Sequence, residues 1–283
     1  MSRLQDAHKS CHVDWLSYTI LDTPHAATEL EAIAHSQRFL EMAFAEHFEK
    51  YFVNATWEPA GSMPPYQHGM KSEHGIGYHF GDVPHQHVQL QGRACLALQH
   101  DNALLPIASG VIGTVTRMDV AMDFDGSISC DDLRDSVQSK RIKSRSTMTS
   151  SSGTTHYIGS RKSERVARAY EYNAPHPRAG VPRLEFQLKK DSAKEFIRQW
   201  RANGLNYAAQ MILNSFGVHA LNIEKHDEKL PASTPHRSKE KTLRWILTQV
   251  APAIQTLIKD GVIKEPEHFF NEHFLPTNYR GND

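Results

Sequence analysis

The sequence predicts an α+β fold, with an antiparallel β-sheet core, flanking helices and a small helical C-terminal part. Two observations carry this expectation. Segments with a two-residue apolar period recur between Gly, Pro and Asp/Asn punctuation, as the strands of an antiparallel sheet do. Segments with helically spaced apolar residues lie outside that run, the last of them after a polar link.

Val13 to Ile20 ("VDWLSYTI") reads as a first strand. Ala26 to about Tyr51 reads as a helix, with Ile33, Phe39, Leu40, Ala43, Phe44 and Phe48 near helical spacing and Thr23 before Pro24 at its start. "GIGYHFGD", "HVQLQGRACLAL" and "VTRMDVAMDFD" follow as strands, then a short helix over Ser129 to Gln138. Lys140 to Thr155 is basic and then Ser/Thr/Gly-rich, which predicts a flexible loop. "THYIGS" and "RVARAYEYN" read as two strands joined by the turn "RKSE". "PRLEFQLKK" is a further strand, followed by helices from Ala193 to about Arg201 and from Tyr207 to Phe216. After the polar link "HDEKLPASTPHRSKEK", Thr242 to Lys259 is amphipathic, with Leu243, Ile246, Leu247, Val250, Ile254, Leu257 and Ile258 spaced as one helical face. The expected division is a main domain over 1–225 and a helical C-terminal region over 226–283.

Lys and Arg number 32 and so do Asp and Glu, so net charge does not point to nucleic acid. Between Arg134 and Arg201, however, sixteen basic residues face six acidic ones, a local surplus that attracts phosphate. Cys11, Cys95 and Cys130 are too widely spaced for a disulfide framework or a zinc signature. No apolar run approaches the roughly 20 residues of a membrane span and no signal-peptide core opens the chain. These features predict a reduced, cytoplasmic protein without membrane contact.

One strand carries an unusual face. In "TRMDVAMDFDG", Arg117, Asp119, Ala121 and Asp123 share one side, and Met118, Val120 and Met122 the other. Two acids on one face of a strand repel each other and have poor β-propensity, so that face is either solvated surface or the seat of a cation. "PRLEFQLKK" repeats the pattern, with Arg183, Glu185, Gln187 and Lys189 together. Were the two strands neighbours, Asp119, Asp123 and Glu185 would converge as hard oxygen ligands for Mg²⁺ or Mn²⁺. In "RVARAYEY", Val166, Arg168, Tyr170 and Tyr172 share a face. A phenol is a poor nucleophile at neutral pH, and a nearby cation such as Arg168 or a metal favours its phenolate.

In this order, "VDWLSYTI", "GYHFG", "VQLQGRAC", "TRMDVAMDFDG", "THYIGSRKSERVARAYEYN" and "VPRLEFQLKK" resemble the replication initiation factor family. Its members are trans-acting initiators of rolling-circle plasmids, with relatives in filamentous phages and conjugative elements. The likeness runs from about Val13 to Lys194. It rests on R-x-D-x-A-x-D, Y-I-G-S-R-x-S, R-x-Y and R-x-E-x-x-x-K in sequence. The resemblance implies a replication-initiator or relaxase-like fold and a DNA strand endonuclease/transferase. It also implies a tyrosine nucleophile at Tyr170 beside Arg168, a metal held by Asp119, Asp123 and Glu185, and a 5′-phosphotyrosyl intermediate. The family's R-x-Y-[DN]-K motif continues here as Glu171 and Tyr172, so a second tyrosine replaces its lysine. Tyr172 therefore stands beside Tyr170 as an alternative nucleophile or a partner in a second transfer.

His85 and His87 offer an alternative metal pair, since His-x-His places two imidazoles on one face of a strand. Arg117, Arg161, Lys162, Arg165, Arg183 and Lys189 are the expected DNA-backbone contacts, which set affinity and its salt dependence. The implied partners are double-stranded origin DNA and single-stranded DNA, with a host helicase, a polymerase and a second copy of the chain as further candidates. Two other readings stay open: a relaxase with the same chemistry, and a regulator that keeps the fold and has lost the nuclease.

Overall fold

The computed structural model describes residues 3–21, 55–81, 83, 85–109, 113–140, 142–151, 153–172, 179–231 and 251–265. The helix expected over 26–51 and the first half of that expected over 242–259 lie outside these residues. The chain forms two compact units, 1–232 and 233–283. Within the second, Ala251–Lys259 is helical and Ile263 is buried.

Among the described residues the first unit is one antiparallel sheet of ten strands with helices, as the alternating segments require. In chain order the strands are β1 (His8–Leu21), β2 (Trp57–Ala60), β3 (His68–Ser72), β4 (Ile76–Phe80), β5 (His85–Gln91), β6 (Gly113–Phe124), β7 (Arg145–Ser150), β8 (Gly153–Ile158), β9 (Arg165–Glu171) and β10 (Pro182–Lys189). In space the order is β2-β3-β4-β5-β1-β6-β10-β9-β8-β7. The long strands β1 and β6 are central, and β6 lies directly against β10. The two acid-bearing strands are thus neighbours.

One face of the sheet is apolar. Leu16, Val120, Met122, Leu184, Phe186 and Leu188 are fully buried there, in one core with Phe196, Met211, Ile212 and Leu213. Those last four belong to the helices Lys190–Asn203 and Leu205–Phe216, joined at Gly204. Gly204 has φ 95°, a left-handed backbone that favours glycine. The other face carries the polar half of each strand.

Three segments depart from the sequence reading. "GRACLAL" is not strand: β5 ends at Gln91 and Arg93–His100 is a helix. Gly92 at φ 40° breaks the strand, and Ala94, Cys95 and Leu98 then bury one helical face. The expected loop over Lys140 to Thr155 contains β7 and the start of β8, paired in a hairpin. Every residue of β7 is exposed, so no apolar alternation marks it. Leu104–Ser109 is a short helix whose Pro106 sits early in the segment, where its missing N–H costs least.

Candidate functional site

The pairing register builds the site. Arg183 lies opposite Asp123 and Gln187 opposite Asp119 across β10 and β6; Glu185 lies opposite Arg168, and Arg183 opposite Tyr170, across β10 and β9. On the far side of β6, Trp15 of β1 pairs with Asp119 after a register shift between Val13 and Trp15. Asp14 is the extra residue of that bulge, a device that re-aims a side chain. These side chains line a cleft of about 1080 Å³ that holds Asp14, Asp119, Arg168, Tyr170, Tyr172, Arg183 and Glu185. Lys71 of β3 and Ser150 of β7 also line it, so both outer parts of the sheet reach its rim.

Asp119 and Glu185 come together as expected, each 1% exposed. Arg168 Nη2 donates to both, to Asp119 Oδ2 at 3.2 Å and to Glu185 Oε1 in a closer contact. Arg117 Nε donates to Asp119 Oδ1 at 2.8 Å and its guanidinium covers the Trp15 ring at 4.4 Å. The Tyr170 hydroxyl donates to Glu185 Oε2 at 2.5 Å. Burial and the Asp119 carboxylate raise the Glu185 carboxyl above its ordinary value, against the opposing pull of Arg168.

The tyrosine differs from expectation. Burial, reinforced by the Glu185 carboxylate, pushes the Tyr170 phenol well above its ordinary value, although Arg183 acts in the opposite direction. The Arg168 charge attracts a Tyr170 phenolate, but burial and the Glu185 carboxylate outweigh it. Proton removal from Tyr170 therefore needs a base, and Glu185 already accepts its hydrogen bond.

Asp123 does not join the other acids. Four residues of strand separate it from Asp119, roughly 13 Å at about 3.3 Å per residue. It accepts from Arg183 Nε at 2.6 Å and from Arg183 Nη2 at 3.0 Å. Arg183 Nη1 lies 3.1 Å from Asp14, and Arg183 Nη2 lies 3.4 Å from His12 Nε2. Burial works to raise Asp14, but the His12 hydrogen bond and the Arg183 charge override it and hold Asp14 at about 2. The sequence reading missed His12 and Asp14. A single acid within "HVDWLSYTI" was their signal, and only the bulge gives it meaning.

Two expected DNA contacts are internal. Arg183 is 1% exposed and serves as the counter-ion of Asp123 and Asp14. Arg165 lies on the opposite face of β9 from Arg168 and donates to Ser192 Oγ at 2.9 Å and to the Leu230 carbonyl at 2.9 Å. It ties the end of the first unit to the sheet. Arg161 and Lys162 are exposed in the β8–β9 turn, Arg161 over the Tyr157 ring at 4.3 Å, and Lys189 Nζ donates to the Arg161 carbonyl at 2.8 Å. Arg117 lines the cleft.

His85 and His87 share one face of β5, as their spacing predicts, with the rings of Tyr66 and His79. They are not beside the tyrosines. His87 pairs with Thr19, whereas Tyr170 belongs to the row of Arg183, Asp123 and Ser10, nine residues away along β1. That is roughly 30 Å along the strands, with further strands between.

Among the described residues no group of three or more His, Cys, Asp or Glu side chains is arranged to hold a metal ion. Asp119 and Glu185 are the kind of hard oxygen donors Mg²⁺ takes, and in this structure all four of their carboxylate oxygens accept hydrogen bonds from Arg117, Arg168 and Tyr170.

The antiparallel sheet with flanking helices, which carries Tyr170, Glu185, Arg168 and Asp119 in its cleft, is consistent with a replication-initiator fold. A solved rolling circle replication initiator protein from Geobacillus stearothermophilus superposes on this chain with a TM-score of 0.51. The match covers 73% of this chain and 85% of that one at 18% identity. No family model and no curated protein matches the sequence. Among the described residues no helix is long and apolar enough to cross a membrane.

Proposed function

We propose that the chain initiates rolling-circle DNA replication by nicking and rejoining one origin strand through Tyr170. The observation that carries this reading is the hydrogen bond from the Tyr170 hydroxyl to Glu185, held in a cleft beside Asp119 and Arg168. Glu185, its carboxyl raised by burial and by Asp119, takes the phenol proton as Tyr170 Oη attacks the scissile phosphorus. The P–Oη bond forms, the P–O3′ bond breaks, and the proton ends on the released 3′-hydroxyl. The energy of the phosphodiester survives as a 5′-phosphotyrosyl ester, from which a 3′-hydroxyl later recloses the strand.

Asp119 and Glu185 would hold Mg²⁺ or Mn²⁺, which when bound supplies Lewis-acid polarisation of the phosphate. Arg168, now shared between those carboxylates, is the guanidinium placed to meet the phosphate oxygens. Arg161 and Lys162 follow the backbone of the flanking DNA without reading its sequence.

The test uses 3′-labelled single-stranded oligonucleotides tiling the DNA around the coding sequence, with Mn²⁺. The expected result is a covalent protein–DNA band from wild type and none from Tyr170→Phe or in EDTA. No adduct from any oligonucleotide, or an equal adduct from Tyr170→Phe, overturns the assignment. A relaxase would give the same band, whereas an inactive DNA-binding regulator would bind DNA with no band.

A further inference from the structure

We infer that Tyr172 is a second nucleophile of the same site, so that one chain carries out both strand transfers. This rests on the nicking reading above. The Tyr172 and Tyr170 hydroxyl oxygens are 3.4 Å apart, and their rings meet edge to face at 5.2 Å with an interplanar angle of 89°. Tyr172 follows β9 directly, is fixed by a bridge to Ala179, and lines the same cleft. The Arg183 guanidinium lies 6.0 Å from the centre of its ring. The two hydroxyls therefore address the same phosphate-sized space in the cleft.

The second step balances without any outside reactant. Tyr172 Oη attacks the phosphorus of a regenerated origin strand, its P–Oη bond forms and the P–O3′ bond breaks. The Tyr172 proton passes to the released 3′-hydroxyl. That hydroxyl attacks the phosphorus on Tyr170, the P–Oη bond to Tyr170 breaks, and the proton returns to Tyr170. The old strand is closed and the new one is held on Tyr172.

The experiment supplies wild-type protein with two Mn²⁺-dependent cleavable oligonucleotides bearing different 3′ fluorophores, then separates denatured chains by size and colour. The readout is the fraction of singly modified chains that acquire a second, differently coloured strand, so any change in the first cleavage cancels. The expected result is doubly modified wild-type chains, with peptides mapped to both Tyr170 and Tyr172, and at least a tenfold lower fraction in Tyr172→Phe. Wild type with adducts on Tyr170 and no doubly modified chain overturns the inference while leaving the nicking reading intact. So does a second adduct mapped to any residue other than Tyr172. Absence of every adduct overturns both.

Discussion

Arg183 and Arg168 show how much a single charged side chain decides in this molecule. Arg183 is buried between Asp123 and Asp14, so Arg183→Ala leaves two acids without their counter-ion. Removing one partner of a buried pair costs about 3–5 kcal/mol, and chemical denaturation should show a loss of that order. Arg161→Ala, at an exposed turn, should leave the unfolding midpoint unchanged and weaken DNA binding uniformly across sequences, with a shallower salt dependence. Glu185→Gln keeps the volume but removes the base, and should slow adduct formation by about 10²–10⁴-fold at saturating DNA. The alternation in "TRMDVAMDFDG" and "PRLEFQLKK" made the shared face of Asp119 and Glu185 legible. The separate allegiance of Asp123 was not legible, because a period of two says which side a residue faces and nothing about distance along the strand. Nor does it distinguish a surface arginine from a buried one, and Arg183 was misplaced for that reason.

At the scale of elements, the apolar strands and the two packed helices were readable from their periods. The segments that escaped were those where the pattern is absent or breaks: β7, exposed along its whole length, and the helix after Gly92, whose first residues continue the apolar run of β5. The short helix Cys130–Ser136 was anticipated, and its start is fixed by a capping box. Ser129 Oγ accepts from the Asp132 amide, and Asp132 accepts from the Ser129 amide. Ser129→Ala should lower stability by about 1 kcal/mol, measured by denaturant titration, without altering DNA cleavage. Arg165 plays a comparable part for the chain end, and its value lies in contacts to Ser192 and the Leu230 carbonyl that no local pattern announces.

For the whole molecule, the histidine-rich end of the polar face sets a response to acid. His87 is 8% exposed, and burial, with His79 and His85 nearby, lowers its imidazole to about 4 from an ordinary 6.5. Thr19 and Tyr66 complete its surroundings and bring no positive charge. A group lowered in this way binds fewer protons folded than unfolded, so stability rises with pH between the two values. Its contribution is complete above about pH 6.5 and is lost as the pH falls toward 4, by roughly 2–3 kcal/mol. Unfolding free energies across that range should show the slope, and His87→Gln should flatten it.

The irregularity in β1 separates architecture from charge. Val13 pairs with Val120 and Trp15 with Asp119, so Asp14 occupies no rung of its own in that ladder. Removing one residue at this bulge would join the two halves of β1 with their faces kept, since His12 and Leu16 retain their partners Ala121 and Met118. A chain lacking Asp14 should keep a sheet-type circular dichroism spectrum and lose stability, because buried Arg183 loses one of its counter-ions and the Gly92 amide its acceptor. Such a chain would reveal how far the proposed strand cleavage depends on that carboxylate.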